Sequence, residues 1–139
     1  MTTPVVQLPD HLRSQIIDHC FGELPSEACG LFAMEDSRIV KIYPTANLAQ
    51  SPVRFTVPPE AHIEALEDAE NAGWKLGGVF HSHPMSEAVP STVDVSDALD
   101  PDWIYVIVGL SDDTPDLRSW SIVRGQAHEV ELVRISQAV

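Results

Sequence analysis

The sequence is short of cysteine, of positive charge and of long apolar runs. Cys20 and Cys29 are its two cysteines, and they do not form a C-x-x-C pair. They carry no disulfide framework, so reduced thiols are expected. Eight lysines and arginines against 21 aspartates and glutamates leave a net charge of −13. Nucleic acid and anionic membranes both demand basic surface, so neither is an expected partner. A partner with a basic face, a merely solvated acidic surface and a salt-adapted source all fit that charge. The longest apolar run, Trp103 to Leu110, falls far short of the roughly 20 residues of a membrane span. The segment Met1–Val6 lacks the basic start and apolar core of a signal peptide. A soluble cytoplasmic protein is expected, and 139 residues suit one domain.

What is present centres on His81-Ser82-His83-Pro84, followed by Ser91 and Asp94 in the spacing H-x-H-x7-S-x2-D. The run from Lys75 to Phe80 reads as a buried strand that the histidines close. Alternate strand residues leave on one face with Cα atoms roughly 6.5–7 Å apart, so His81 and His83 can reach one ion while Ser82 points away. Two buried histidines would otherwise each need a separate partner. Ser91-x-x-Asp94 is also a capping box that starts a helix, which would fix both side chains rigidly. Two histidines and one carboxylate leave a position open on a zinc ion, the pattern of a catalytic rather than a structural site.

Around this motif the chain reads as an α/β (α+β) domain, a curved mixed sheet with a helix packed on each side. Residues 10–21 predict a helix with Asp10 as N-cap and an apolar stripe of Leu12, Ile16, Ile17, Cys20 and Phe21, ended by Gly22. His11 and His19 fall off the stripe and are expected at the surface. Residues 28–33 and 38–43 predict a hairpin, and residues 53–57 a short strand. A second helix from Glu60 to about Ala72 shows Ile63, Leu66 and Ala69 or Glu70 as its apolar face, with His62 exposed. A short helix is expected at Val95–Leu99. Residues 103–110 predict a central strand, and residues 117–123 and 128–135 flanking strands around a Gly125 turn. Trp103 and Trp120 are expected in the core. Glu27 reads either as a loop charge just outside the sheet or as a carboxylate held near the metal as a general base. Cys29 reads as a buried structural thiol, with no base beside it in sequence.

Ser26-Glu27-Ala28-Cys29-Gly30, His81-Ser82-His83-Pro84 and Ser91-x-x-Asp94 together resemble the signature of the JAMM (MPN-plus) metalloproteases, in element order over nearly the whole chain. The resemblance implies a JAMM/MPN-like, cytidine-deaminase-like fold and a zinc isopeptidase. Family members cut after the C-terminal diglycine (Gly-Gly) of ubiquitin or ubiquitin-like proteins. It implies His81, His83 and Asp94 as Zn²⁺ ligands, Glu27 as the group that holds and deprotonates water, and Ser91 as the oxyanion donor. Pro25-x-Glu27-Ala28-Cys29-Gly30, Asn47-x-x-x-Ser51-Pro52 and Ala88-x-Pro90-Ser91 look like the small bacterial branch, which includes a peptidase freeing cysteine from a sulfur-carrier protein. The chain has no room for the long insertions of eukaryotic deubiquitinases.

The expected partner is thus a ubiquitin-like or sulfur-carrier protein whose tail adds along a sheet edge. Residues 47–57 and 85–90 are the expected walls of its groove. Two other readings share these residues: a non-catalytic MPN-like module that binds ubiquitin-like tails, and a metal-dependent amidase acting on small molecules.

Overall fold

The computed structural model describes residues 4–136; Met1–Thr3, part of the segment read above for a leader, lie outside them. Ten elements follow in order: β1 (Val5–Pro9), α1 (Asp10–Gly22), β2 (Cys29–Glu35), β3 (Arg38–Thr45), α2 (Pro59–Asn71), β4 (Lys75–His83), α3 (Thr92–Asp97), β5 (Ile104–Gly109), β6 (Asp116–Val123) and β7 (Gln126–Ile135). The seven strands close on themselves in the order β1-β3-β2-β4-β5-β6-β7. Pairing is parallel for β4–β5, β1–β7 and β1–β3, and antiparallel elsewhere. The expected mixed sheet is therefore present, curved to the point of closure. Closure depends on β1, which the sequence reading left without an element. Its alternation buries Val6 and Leu8, and it runs in register with β7 from Val5↔Glu131 to Pro9↔Ile135.

The two faces of the sheet carry separate cores. Leu12, Ile16 and Cys20 of α1 pack with Val6, Leu8, Phe32, Ile39, Phe80 and Val106. On the other face, Ala65 and Ala69 of α2 pack with Leu31, Leu76, Val79 and Tyr105. Of the expected α2 stripe Ala69 is buried, but Ile63 and Leu66 are exposed and Ala65 takes their place. Alanines let the helix approach the sheet closely, and the larger side chains splay to either side.

Other local expectations shift for equally physical reasons. Pro9, the last residue of β1, is the N-cap of α1 and makes no side-chain cap bond. Asp10 instead opens the first turn, where its charge suits the helix dipole, and accepts from Arg134 Nε at 3.0 Å. Phe21 is exposed at the end of its stripe. The short helix begins earlier than expected, at Thr92, and ends at Asp97. At the β6–β7 hairpin Arg124 and Gly125 both have positive φ, 52° and 74°, the two-residue turn whose twist matches the strands. No helix among the described residues is long and apolar enough to cross a membrane.

Candidate metal centre and its groove

The strand β4 continues through both histidines, so His81 and His83 share one face as the two-residue period requires. Ser91 caps α3: its Oγ accepts from Asp94 N at 3.0 Å, while Asp94 Oδ2 accepts from Ser91 N at 2.9 Å. This capping box turns Asp94 back toward the strand. His81 Nε2 and His83 Nε2 lie 3.2 Å apart, and Asp94 Oδ2 stands 3.2 Å from the first and 3.0 Å from the second. The loop after β4 orients His83 from behind, because its Nδ1–H donates to the Glu87 carbonyl at 2.7 Å. That bond turns the other ring nitrogen, Nε2, toward His81 and the Asp94 carboxylate, the orientation a metal-ligating imidazole takes.

The donor set fits a divalent ion. Bonds of 2.0–2.1 Å to a tetrahedral zinc would place donor atoms about 3.4 Å apart, close to the three separations found. Among the described residues, His81, His83 and Asp94 are the group whose donor atoms converge in this way. Burial pushes the Asp94 carboxyl up, but hydrogen bonds from His81 and His83 outweigh it and hold the carboxyl well below the usual range. Burial lowers the proton affinity of His81. It acts the same way on His83, where the bonds to Asp94 and Glu87 prevail and raise it.

Glu27 belongs to the same constellation through strand register. β2 pairs with β4 antiparallel up to Cys29↔His81. One step further, Ala28 N donates to Ser82 Oγ at 2.9 Å and Ser82 N donates to the Ala28 carbonyl at 3.0 Å. The next step brings Glu27 level with His83. Glu27 is 3% exposed, and its Oε1 is buried with no hydrogen-bond partner. Burial pushes its carboxyl up to about 8, with His83 pulling down and Asp94 pushing up. Glu27 lies just outside the sheet, as the first of its two readings has it, but its carboxyl is buried and not a solvated charge. His81 Nδ1 is the other buried side-chain atom without a partner among the described residues.

An apolar groove of about 370 Å³ runs away from this centre, lined by Leu31 and Val79 of the sheet, Phe55 and Val57 on one side, and Leu99 and Trp103 on the other. Phe55, Asp97 and Tyr105 also line a small pocket with His81 and Asp94, so groove and centre adjoin. The Phe55 ring lies on His81, centroids 4.4 Å apart and planes 21° apart. Of the two segments expected to wall a substrate groove, residues 47–57 supply Phe55 and Val57 to the lining of this one and residues 85–90 supply none. Within 85–90, Met85 and Val89 are exposed, whereas Ala88 is buried and its carbonyl accepts from Trp120 Nε1 at 3.0 Å. Residues 97–103 form the second wall instead. Trp103 is half-buried, packed against the α2-side core as expected while also lining the groove, and the exposed His62 faces it with ring centroids 5.5 Å apart.

Residues 53–57 belong to no strand, contrary to expectation. Both edges of β2 are already taken, and the side chain of Asn47 occupies the backbone groups that a strand partner would use. His19 is also misplaced by helical periodicity. Its Nε2 lies 3.0 Å from the carbonyls of Cys29 and Thr45, pinning α1 to the sheet beside the centre. Cys29 is the inert buried thiol expected, pushed up by burial and 3.4 Å from Thr45 Oγ1, and burial pushes Cys20 up to about 12.

The family of prokaryotic homologs of the JAB domain matches residues 9–123. The chain belongs to that family. It is 36% identical to a desampylase of Haloferax volcanii over 114 residues, covering 77% of this chain and 82% of that one. It is 30% identical to the CysO-cysteine peptidase of Mycobacterium tuberculosis over 131 residues, covering 92% and 90%. A solution structure of a Desulfitobacterium hafniense protein, 33% identical, superposes with a TM-score of 0.87 over 95% of this chain and 94% of that one. A structure described as a metalloprotease-like zinc site in the proteasome and signalosome, 18% identical and with a TM-score of 0.56 over 93% and 98% of the two chains, shares the fold. The chain is thus a hydrolase of the JAMM metalloprotease type. Ser82, Phe55 and Trp103 adjoin the candidate centre or its groove without belonging to the motif. Phe55 falls within the expected wall 47–57, and Ser82 carries a signal as the residue between two histidines on one strand.

Proposed function

We propose that this protein is a zinc-dependent peptidase that cleaves after the C-terminal Gly-Gly of a ubiquitin-like or sulfur-carrier protein. The observation that carries the reading is the convergence of His81 Nε2, His83 Nε2 and Asp94 Oδ2 beside the buried, unpartnered Glu27 carboxyl. The names of its relatives supply the substrate class: a desampylase, a CysO-cysteine peptidase, and a probable TtuB-protein conjugate cleaving protease of Thermus thermophilus that is 33% identical over 132 residues. The groove supports it physically, since an apolar trough adjoining the centre suits a flexible tail better than a compact metabolite.

In this reading His81, His83 and Asp94 hold the zinc. When bound, the ion lowers the pKa of water from 15.7 toward about 7 and polarises the scissile carbonyl. Glu27 accepts the proton of the attacking water and delivers it to the nitrogen as the C–N bond breaks. A buried carboxyl with an oxygen that no protein group occupies is placed to take that proton and pass it on. Ser91 spends an Oγ lone pair on Asp94 N, which leaves its O–H free to donate to the developing oxyanion. One such donor is worth about 2.7–4 kcal/mol in the transition state. The amine that leaves is cysteine or a lysine-linked protein.

The test is mass spectrometry of sulfur-carrier adducts incubated with three proteins. Wild type removes the adduct, Glu27→Gln keeps zinc without cleaving, and His83→Ala loses both. Hydrolysis by Glu27→Gln would overturn the mechanism. Tail binding without turnover by the zinc-loaded wild type would indicate a binding module, and turnover of small amides alone a metabolite amidase.

A further inference from the structure

Resting on that proposed hydrolysis, we propose that Asn47 is a positioning residue that joins the groove wall to Glu27, so that a tail seated against Phe55 and Val57 fixes the carboxylate that serves it. Asn47 is a buried polar residue, 8% exposed, with every hydrogen-bonding valence of its amide in use. Its Oδ1 accepts from Ala49 N at 3.0 Å and from Thr56 N at 2.9 Å. Its Nδ2 donates to the Arg54 carbonyl and to the Glu27 carbonyl, both at 3.0 Å.

A turn-forming asparagine needs only the first of these bonds, a contact two residues along its own chain. The two donations reach outside the turn, and one of them crosses to the residue that bears the base. The backbone of the same loop completes the hold, because Glu27 N donates to the Ser51 carbonyl at 2.8 Å. Glu27 lies beyond the end of β2, so the N–H and C=O of its main chain are both tied to this loop and not to the sheet. The loop in turn carries Phe55, flat on His81, and Val57, in the groove wall. Base, metal-facing imidazole and substrate wall are thereby joined through one side chain.

The experiment compares zinc-loaded wild type with Asn47→Ala and Ser119→Ala. Ser119 is a fully buried control on the β6–β7 side, where its Oγ donates to the Val130 carbonyl at 2.6 Å. Asn47→Ala should keep one zinc per chain and lower kcat about 10–100-fold, with KM rising by less than about 3-fold, since misplacing a reacting group by ~1 Å costs that much. Ser119→Ala should lower Tm and leave kcat unchanged. A crystal structure of the Asn47 variant should show Glu27 and Phe55 displaced together. Should alanine prevent folding, Asn47→Asp keeps the two acceptances, opposes two carbonyls with a carboxylate oxygen, and should show the same displacement. A kcat within about 2-fold of wild type, with Glu27 unmoved, overturns the proposal. If wild type cleaves no carrier adduct the functional reading fails, while the position of Glu27 in the variant still decides the role of Asn47.

Discussion

Ser82 and Ala28 hold each other twice: Ala28 N donates to the Ser82 hydroxyl at 2.9 Å and Ser82 N donates to the Ala28 carbonyl at 3.0 Å. This pair is what carries the β2–β4 ladder far enough to set Glu27 level with His83. Ser82→Ala leaves the buried Ala28 N–H without an acceptor, at a cost of about 1–3 kcal/mol. Urea unfolding should show that loss, and cleavage should fall although all three proposed ligands remain. Unchanged stability would mean that another group takes the Ala28 proton.

The Glu27 carboxyl makes the stability of the metal-free protein pH-dependent. Burial lifts it from an ordinary 4.5 to about 8, so between these values the folded chain keeps a proton that the unfolded chain has lost. Its contribution is therefore intact below pH 4.5 and is lost as pH rises through about 8. Glu27→Gln removes the titration. The variant should match wild type at low pH and exceed it by a few kcal/mol in alkaline buffer, each pKa unit being worth about 1.4 kcal/mol. Urea titrations across that range check this, and a difference independent of pH would contradict it.

Phe55 serves centre and groove together. Phe55→Ala removes a stacked pair worth about 0.5–1.5 kcal/mol, so zinc affinity measured against a chelator should weaken about 2–10-fold. KM should rise at the same time, because the wall is gone. Phe55→Leu should restore most of KM and little of the affinity.

Two glycines separate packing from conformation. A Cβ on Gly78 would lie 1.9 Å from the Ile104 carbonyl oxygen, backbone that its β4–β5 register cannot move. Gly78→Ala should cost about 3 kcal/mol or more, or abolish folding. At Gly22 an added Cβ meets nothing within 4 Å. Gly22→Ala at the end of α1 should be neutral or stabilising by up to about 1 kcal/mol, as differential scanning calorimetry would show.

The proposed centre was legible because its parts are local. Two histidines on one strand face and a capping box are patterns spanning three and four residues, and each dictates a direction without help from the rest of the fold. Glu27 needed strand register, which the local sequence did not supply. Closure of the sheet rests on β1 meeting β7 from the far end of the chain, and nothing within either strand announces its partner. Residues 53–57 have strand-forming side chains, yet Asn47 outbids any strand for their backbone bonds. His19 and the alanine face of α2 show the same limit. Periodicity tells which side of a helix is apolar, but how closely the sheet approaches decides which side chains are covered.

The most direct measurement is the mass of a sulfur-carrier adduct before and after incubation with the protein, first stripped of metal by a chelator and then reloaded with zinc. The account predicts an intact adduct with the stripped protein, and loss of the group beyond the terminal Gly-Gly once zinc is restored. Cleavage that continues undiminished after complete removal of the metal would contradict it.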